Sequence, residues 1–439
     1  MITRIYCLLL LLLAALLAGA QAVYTAPKYQ EVLAGKAPLR MLIASHQPML
    51  AWKGDAAVTV INGLDKKVAF AGKPGEQIGL LRGEDGLTAL RKDGANLCAA
   101  PKMLRLESAK PISFWTKTPD AWAVYAAPII ITSLPDGTFS AALELPLEEY
   151  LRDVLPAEVV PSFHPQMMRA QAVVARTYAL CKLGRHADEG ADVCAGVHCQ
   201  AYGPTGKRIP ATEDAVKTTK GLIVLYRDKL SEPYYSSCCG GITDDAGYVW
   251  GPEYARPYLI GILDFPSKKA AEDVIITDVL AVKDAYCAQS KSFHWERRYT
   301  AAEVDALVAK NLPIVTCDPT VKLKAVRNLV IEERTPYGRV STLRVEGDGA
   351  SILVYGDAAR WLFGSGVPGG DGLWSALFDI TVTRAKDGKP AAYLIRGAGR
   401  GHGIGLCQWG AEGRARVGHT FRQILHAYYP GIRLSDEKK

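Results

Sequence analysis

At 439 residues the chain is long enough for two or three compact units, since domains usually hold on the order of 100 to 200 residues. Its formal charge of +7 is mild, and no Lys/Arg run or aromatic–basic interleaving occurs, which argues against a nucleic-acid partner. Such a charge suits work beside an anionic polymer such as a cell wall.

The first 22 residues, MITRIYCLLLLLLAALLAGAQA, carry an early Arg4, an apolar run from Leu8 to Leu17, and small residues in Ala-x-Ala spacing. This pattern predicts a cleavable signal and an exported protein of the cell envelope, with residues 1–22 removed. Loss of Arg4 takes the formal charge from +7 to +6. A retained anchor needs about 20 apolar residues. The run is shorter than that, and no later segment is apolar enough, so no transmembrane span is expected after signal removal.

From about residue 38 to 138, short β-type runs (LRMLIAS, AAVTVIN, VAFAG, APIIITSL) are separated by Asn62-Gly63, Lys73-Pro74-Gly75 and Pro135-Asp136-Gly137. They predict a β-rich N-terminal domain. The pattern then changes, and residues 139–435 read as a mixed helix/strand core, giving an α+β chain overall. Leu147 to Val154 predicts a short helix with Glu158 in the connection after it. A long amphipathic helix follows over 165–183, with Pro165 at its first position, an apolar stripe at Met167, Ala170, Val174, Tyr178 and Cys181, and Gly184 as its cap. The stretches GLIVLYRD and PYYSSC read as strands. Thr300 and Glu303 have capping-box spacing in a helix over 296–312, and the TPYG turn predicts a hairpin. Thr420 and Gln423 repeat the box before Pro430-Gly431.

Of the ten cysteines, Cys7 leaves with the signal, so nine remain and at least one is outside any intrachain disulfide. Cys287 and Cys317 are a candidate pair. Cys194 and Cys199, with His186 and His198 close by, fit either a zinc site or a local disulfide. Cys238 and Cys239 are adjacent and precede Gly240-Gly241; neighbouring cysteines seldom bond to each other without strain.

Glycines 397, 399, 401, 403 and 405 alternate. His402 breaks the register of a dinucleotide fingerprint, and no Gly-Lys-Ser/Thr follows for a phosphate loop. Period-two alternation predicts a strand with one bare face that substrate or backbone can approach closely. Glu158 stands among Ala157, Val159 and Val160; a partly buried carboxyl there has its pKa pushed upward and can act as the general acid that glycosidic cleavage needs. No second acid sits beside it for a two-carboxylate hydrolase.

Four segments in order, LPLEEYLRDVLPAEVVPSFHPQMMRAQAVVARTYAL, CAGVHCQAYGP, YYSSCCGGITDDAGYVWGPEYARPYL and GRGHGIGLCQWGAEGRARVGHTFRQILHAYYPG, resemble the SpoIID/LytB family, the stage II sporulation protein D and amidase-enhancer group. The resemblance implies a lytic transglycosylase acting on peptidoglycan glycan strands stripped of stem peptides by an N-acetylmuramoyl-L-alanine amidase. Glu158 would be the acid and base, and the product a 1,6-anhydro-muramic end. It also implies zinc held by His186, Cys194 and Cys199, with His198 as the alternative third ligand, and a glycan groove lined by Arg176, Ser237, His402 and Gln408. Cys238-Cys239 and Cys407 depart from the family's Thr-Ser and Ser. The alternative function is a non-catalytic wall-binding protein that enhances an amidase.

Overall fold

The computed structural model describes residues 24–438 except 64, 84–85, 92–95, 101–102, 118, 197, 204–207, 268–282 and 365–371, so the expected signal lies outside the described residues. The chain is a mixed α+β protein that divides into two compact units. The first comprises the described residues up to Pro161 with Ala175–Leu222; the second comprises Ser162–Val174 with Ile223 onward.

In the first unit, Leu39–Gln47 is flanked by Phe139–Leu145, after which Ile129–Ser133, Met103–Ser108, Val58–Asn62 and Val68–Gly72 continue a seven-stranded sheet. These pairings are antiparallel, with Leu39 opposite Leu145 and Ile129 opposite Leu143. The seventh strand is the two-residue Val193–Cys194, which adds in parallel beside Leu39–Gln47. A second sheet of six strands runs from Ala121–Tyr125 to Asn96–Ala100. The expected domain boundary at 138/139 therefore cuts a sheet: Phe139–Leu145 hydrogen-bonds on both edges to strands from the N-terminal stretch.

The helix after this sheet is longer than the sequence suggests, spanning Leu147–Glu158 with Pro156 inside its last turn. Proline removes one N–H there, yet the turn closes because Val159 still donates to the Leu155 carbonyl at 3.0 Å. Glu158 is thus the last helical residue instead of part of a connection. The next helix runs Pro165–Cys181, starting at Pro165 as the spacing predicts. It is not a one-sided stripe: Met168, Ala172, Val173 and Ala175 are as fully buried as Met167, Ala170 and Val174. A helix apolar on all sides lies inside the protein.

In the second unit, helix Ala301–Val315 carries both halves of the Thr300/Glu303 capping box, while the residues expected to begin it form the strand His294–Thr300. Val304, Val308 and Leu312, one helical turn apart, pack on Leu343, Val345, Phe378 and Ile395 from the hairpin Val326–Arg334/Val340–Gly347 and the sheet His294–Thr300, Pro390–Ala398, Phe378–Arg384. The second capping box, Thr420 with Gln423, opens helix Phe421–Tyr428 as expected.

The alternating glycines do not make a bare-faced strand. Gly399, Gly401, Gly403 and Gly405 all have left-handed φ, between 67° and 106°. The chain winds against its own Tyr234–Asp244 segment: Arg400 N–H donates to the Cys238 carbonyl at 2.7 Å, and Asp244 N–H to the Gly403 carbonyl at 2.8 Å. Leu406–Cys407 then pairs in parallel with Tyr235–Ser236. The side-chain-free positions serve this backbone contact, and the Arg339 guanidinium fills the space a Cβ on Gly403 would need.

Gly403→Ala should therefore cost about 2–4 kcal/mol, from left-handed strain plus overpacking. Gly418→Ala, at φ 95° with open space around the added methyl, should cost only about 1–2 kcal/mol of strain. Urea unfolding of the two variants measures the difference.

Candidate functional site

Glu158 is half-buried at the end of helix Leu147–Glu158. Its surroundings are not the apolar residues beside it in sequence, since Ala157 and Val160 are exposed and only Val159 is buried. They come from Gln200–Gly203, which is laid along the helix. The Ala201 N–H donates to Glu158 Oε1 at 2.7 Å. The Tyr150 hydroxyl donates to Gln200 Oε1 at 3.1 Å, and Tyr202 stacks on Tyr150 with centroids 6.0 Å apart. Gly203 N–H reaches the Asp153 carbonyl at 3.2 Å, and a Cβ on Gly203 would meet that carbonyl at 3.4 Å. Burial pushes the Tyr150 phenol well above its usual value, so it is a neutral donor at any working pH.

The next acid back along the helix, Asp153, is 3% exposed and committed: Arg208 Nε donates to Oδ1 at 2.6 Å, and Tyr202 Oη and Arg208 Nη2 donate to Oδ2 at 2.9 Å. Glu158, by contrast, accepts from a backbone N–H and is only half-buried. Arg176, expected in the groove, has no exposed surface. Its guanidinium is bidentate to Glu148, at 2.8 and 2.7 Å, and also donates to the Leu222 and Val216 carbonyls. It ties the long helix to the start of the Glu158 helix, a structural job that leaves no surface for a glycan.

His186, Cys194, His198 and Cys199 meet with one ligand atom each, all within 4.8 Å of one another. Cys199 Sγ lies 3.5 Å from His186 Nε2 and 3.8 Å from His198 Nδ1, and Cys194 Sγ lies 3.7 Å from His198 Nδ1. Neither cysteine is in a disulfide. The sequence left His186 and His198 as alternatives for one position; the fold supplies both, a set of two sulfurs and two nitrogens suited to tetrahedral zinc. Glu189 Oε2 lies 2.6 Å from His186 Nδ1, which fixes the ring and turns Nε2 toward the sulfurs. The Cys199 thiol hydrogen-bonded to Cys194 pulls Cys194 down to about 3, while Cys199 is pushed up by that same partner and by burial. Cys194 is held by its edge strand, and Cys199 directly precedes Gln200-Ala201. The cluster therefore anchors the segment whose N–H holds Glu158.

Ser237, His402 and Gln408 belong to the second unit. Ser237 is half-buried, and its carbonyl accepts from Trp409 N–H at 3.0 Å. His402 uses both ring nitrogens internally: Nε2 donates to the Tyr235 carbonyl at 2.9 Å and Nδ1 accepts from Ile404 N–H at 3.0 Å. Gln408 is buried, 6% exposed, as the first residue of helix Gln408–Arg416. Around His402, Trp250 (centroids 4.9 Å apart) and Tyr234 form an aromatic cluster that continues to Tyr254, which is exposed along with Tyr248. Nothing local in the sequence marks these tyrosines as neighbours of Trp250. The candidate Cys287–Cys317 pair is not formed: Cys287 Sγ lies 3.7 Å from Cys239 Sγ, and Cys317 is exposed.

Residues 136–226, which hold the Glu158 helix, the metal cluster and Gln200–Gly203, match the family model described as stage II sporulation protein, SpoIID. A stage II sporulation protein D of Bacillus subtilis is 25% identical over 307 residues, covering 66% of this chain and 75% of that protein. The chain is thus similar to the SpoIID family over residues 136–226. Other relatives are an uncharacterized protein of Brachyspira hyodysenteriae, 29% identical over 69% of this chain and 70% of its own, and the amidase enhancer of B. subtilis, 28% identical over 65% of this chain. The match spans 40% of the amidase enhancer's length. Residues 244–405, which fall in the second unit, match a domain of unknown function, DUF8618. Among the described residues no helix is long and apolar enough to cross a membrane.

Burial lowers the pKa of His402 to about 4. The fold thus favours the neutral ring, and its contribution to stability is complete above the unfolded value of about 6.5 and is lost as pH falls toward 4. The imidazole resonances of His402 should keep the Nε2–H tautomer down to about pH 4 in an NMR titration. Urea stability should fall by about 2–3 kcal/mol over the same window, a loss that His402→Gln reduces.

Proposed function

We propose that this protein is a peptidoglycan lytic transglycosylase with Glu158 as its acid and base. The observation that carries this reading is the single carboxylate fixed by the Ala201 N–H, with its helix neighbour Asp153 tied to Arg208 and Tyr202. A hydrolase that activates water needs two carboxylates. One suffices when the sugar supplies its own nucleophile. Protonated Glu158 gives its proton to the glycosidic oxygen as the bond from the muramic anomeric carbon to that oxygen breaks. The 6-hydroxyl of the same muramic residue bonds to the anomeric carbon and returns its proton to the carboxylate, which is ready for the next turn. The Ala201 N–H stabilises the anion between the two transfers and fixes its orientation.

Zinc at His186, Cys194, His198 and Cys199 is a structural ion in this scheme. Four protein donors leave no open position for substrate, and the ion would fix the Cys199–Ala201 stretch and through it Glu158. In the second unit, Trp250, Tyr254 and the Ser237 hydroxyl are the groups suited to sugar faces and edges, while His402 holds backbone at Tyr235 and Ile404 and Gln408 is buried. The glycan strands, their prior stripping by an amidase and an exported, cell-envelope location belong to the same proposal; the relative named amidase enhancer supports the amidase link.

Incubation with amidase-treated glycan strands should give anhydro-muramic ends by mass spectrometry. Glu158→Gln should lower their rate of formation by about 10²–10⁴. Stimulation of an amidase without such ends would instead establish the enhancer function, and equal yields from both proteins would remove Glu158 from the chemistry. Cys199→Ser, which touches no substrate, should lose one zinc per chain and lower the rate about 10–100-fold.

A further inference from the structure

A second cysteine cluster lies in the other unit, where Cys287 meets the cysteines that depart from the pattern of the resembled family. Cys239, Cys287 and Cys407 have no exposed surface, and their sulfurs lie within 4.8 Å of one another. The adjacent Cys238 is 1% exposed, outside that set of three, and its thiol is influenced by those of Cys287 and Cys407. Three segments distant in sequence thus deliver three sulfurs to one closed place, with the thiol of Cys238 next to them in the chain.

The spacing and the donors around it separate the possible chemistries. A disulfide needs sulfurs about 2.05 Å apart, whereas Cys239 and Cys287 are at 3.7 Å. Tetrahedral zinc with Zn–S bonds of about 2.3 Å places its sulfurs about 3.8 Å apart. Backbone N–H groups point at the sulfurs, as they do where thiolate charge must be held: Cys239 and Gly410 donate to Cys407 Sγ and Gly241 to Cys287 Sγ, each at 3.2 Å. Cys407 also caps helix Gln408–Arg416, whose positive end favours an anion. The Arg339 guanidinium, donating to the Cys239 and Ile242 carbonyls, adds positive charge behind the loop. All-sulfur ligation selects a soft or borderline cation, and four protein ligands make a closed structural site.

We propose that Cys239, Cys287 and Cys407, with Cys238 as fourth ligand, form a buried all-thiolate zinc site. The ion binds as the four thiols release their protons, and it joins the Gly240-Gly241 turn, the Cys287 turn and the end of the glycine run. The cysteines would then reinforce this backbone junction. This inference stands apart from the transglycosylase reading, since the site neither touches Glu158 nor depends on it.

Zinc counted by elemental analysis of the full chain, purified without chelator, tests it. Wild type should hold two zinc per chain, Cys287→Ser one fewer than wild type, and the Cys199→Ser/Cys287→Ser double variant none. Should Cys287→Ser fail to fold, zinc X-ray absorption of Cys199→Ser gives the answer with the second site intact, and four sulfurs at about 2.3 Å are expected. A zinc shell with nitrogen, or no zinc, in a folded Cys199→Ser protein would overturn the proposal. So would a Cys239–Cys287 disulfide in an unreduced peptide map. If the first cluster holds no metal, wild type binds one zinc that only Cys287→Ser loses, and the inference survives.

Discussion

The hydrogen bond from Ala201 N–H to Glu158 Oε1, at 2.7 Å, is the constraint on which the proposed chemistry depends. A carboxylate ending a helix on a flexible side chain has no fixed orientation of its own. Here its partner is a backbone group, and that backbone is held at both sides: by Cys199 in the Cys/His cluster before it, and by Tyr202 and Gly203 against Asp153 after it. The cluster is held in turn by Cys194 in the sheet-edge strand and by Glu189 on His186. An ordering of sheet, metal cluster, loop and carboxylate follows, in which each layer positions the next.

The second unit repeats the use of backbone-to-backbone contact, by a different device. Glycines at 399, 401, 403 and 405 let two chain segments approach where side chains would collide, and Arg339 enters the space so opened. Arg339 is itself paired with buried Asp244 at 3.5 Å. A buried ion pair of this kind contributes little net stability, but losing one partner would strand the other. The junction is therefore sensitive to single substitutions.

Much of the local structure was legible because its signals are local. Capping boxes at Thr300 and Thr420, Pro165 at a helix start and the TPYG turn each need only a few adjacent residues, and all are formed. The errors arise where the deciding partner is distant. Period two was read as a strand at the glycines, but alternation of residues without side chains says equally that alternate φ angles are positive. The family resemblance implies a groove position for Arg176, but Glu148, 28 residues away, holds its guanidinium. Glu158 was found from its type and from the family resemblance; that its orientation comes from Ala201 could not be read, because a backbone N–H has no residue-type signature. His198 joined the metal set for a similar reason, since sequence gives candidates for a ligand and the fold decides how many meet.

The account's central claim is that one carboxylate is enough because no water enters the reaction. Cleavage of amidase-treated glycan strands in water enriched in oxygen-18, followed by mass analysis of the new ends, tests this most directly. The account predicts anhydro-muramic ends that carry no heavy oxygen. Reducing muramic ends bearing oxygen-18 at the anomeric position, formed at the rate of cleavage, would contradict it.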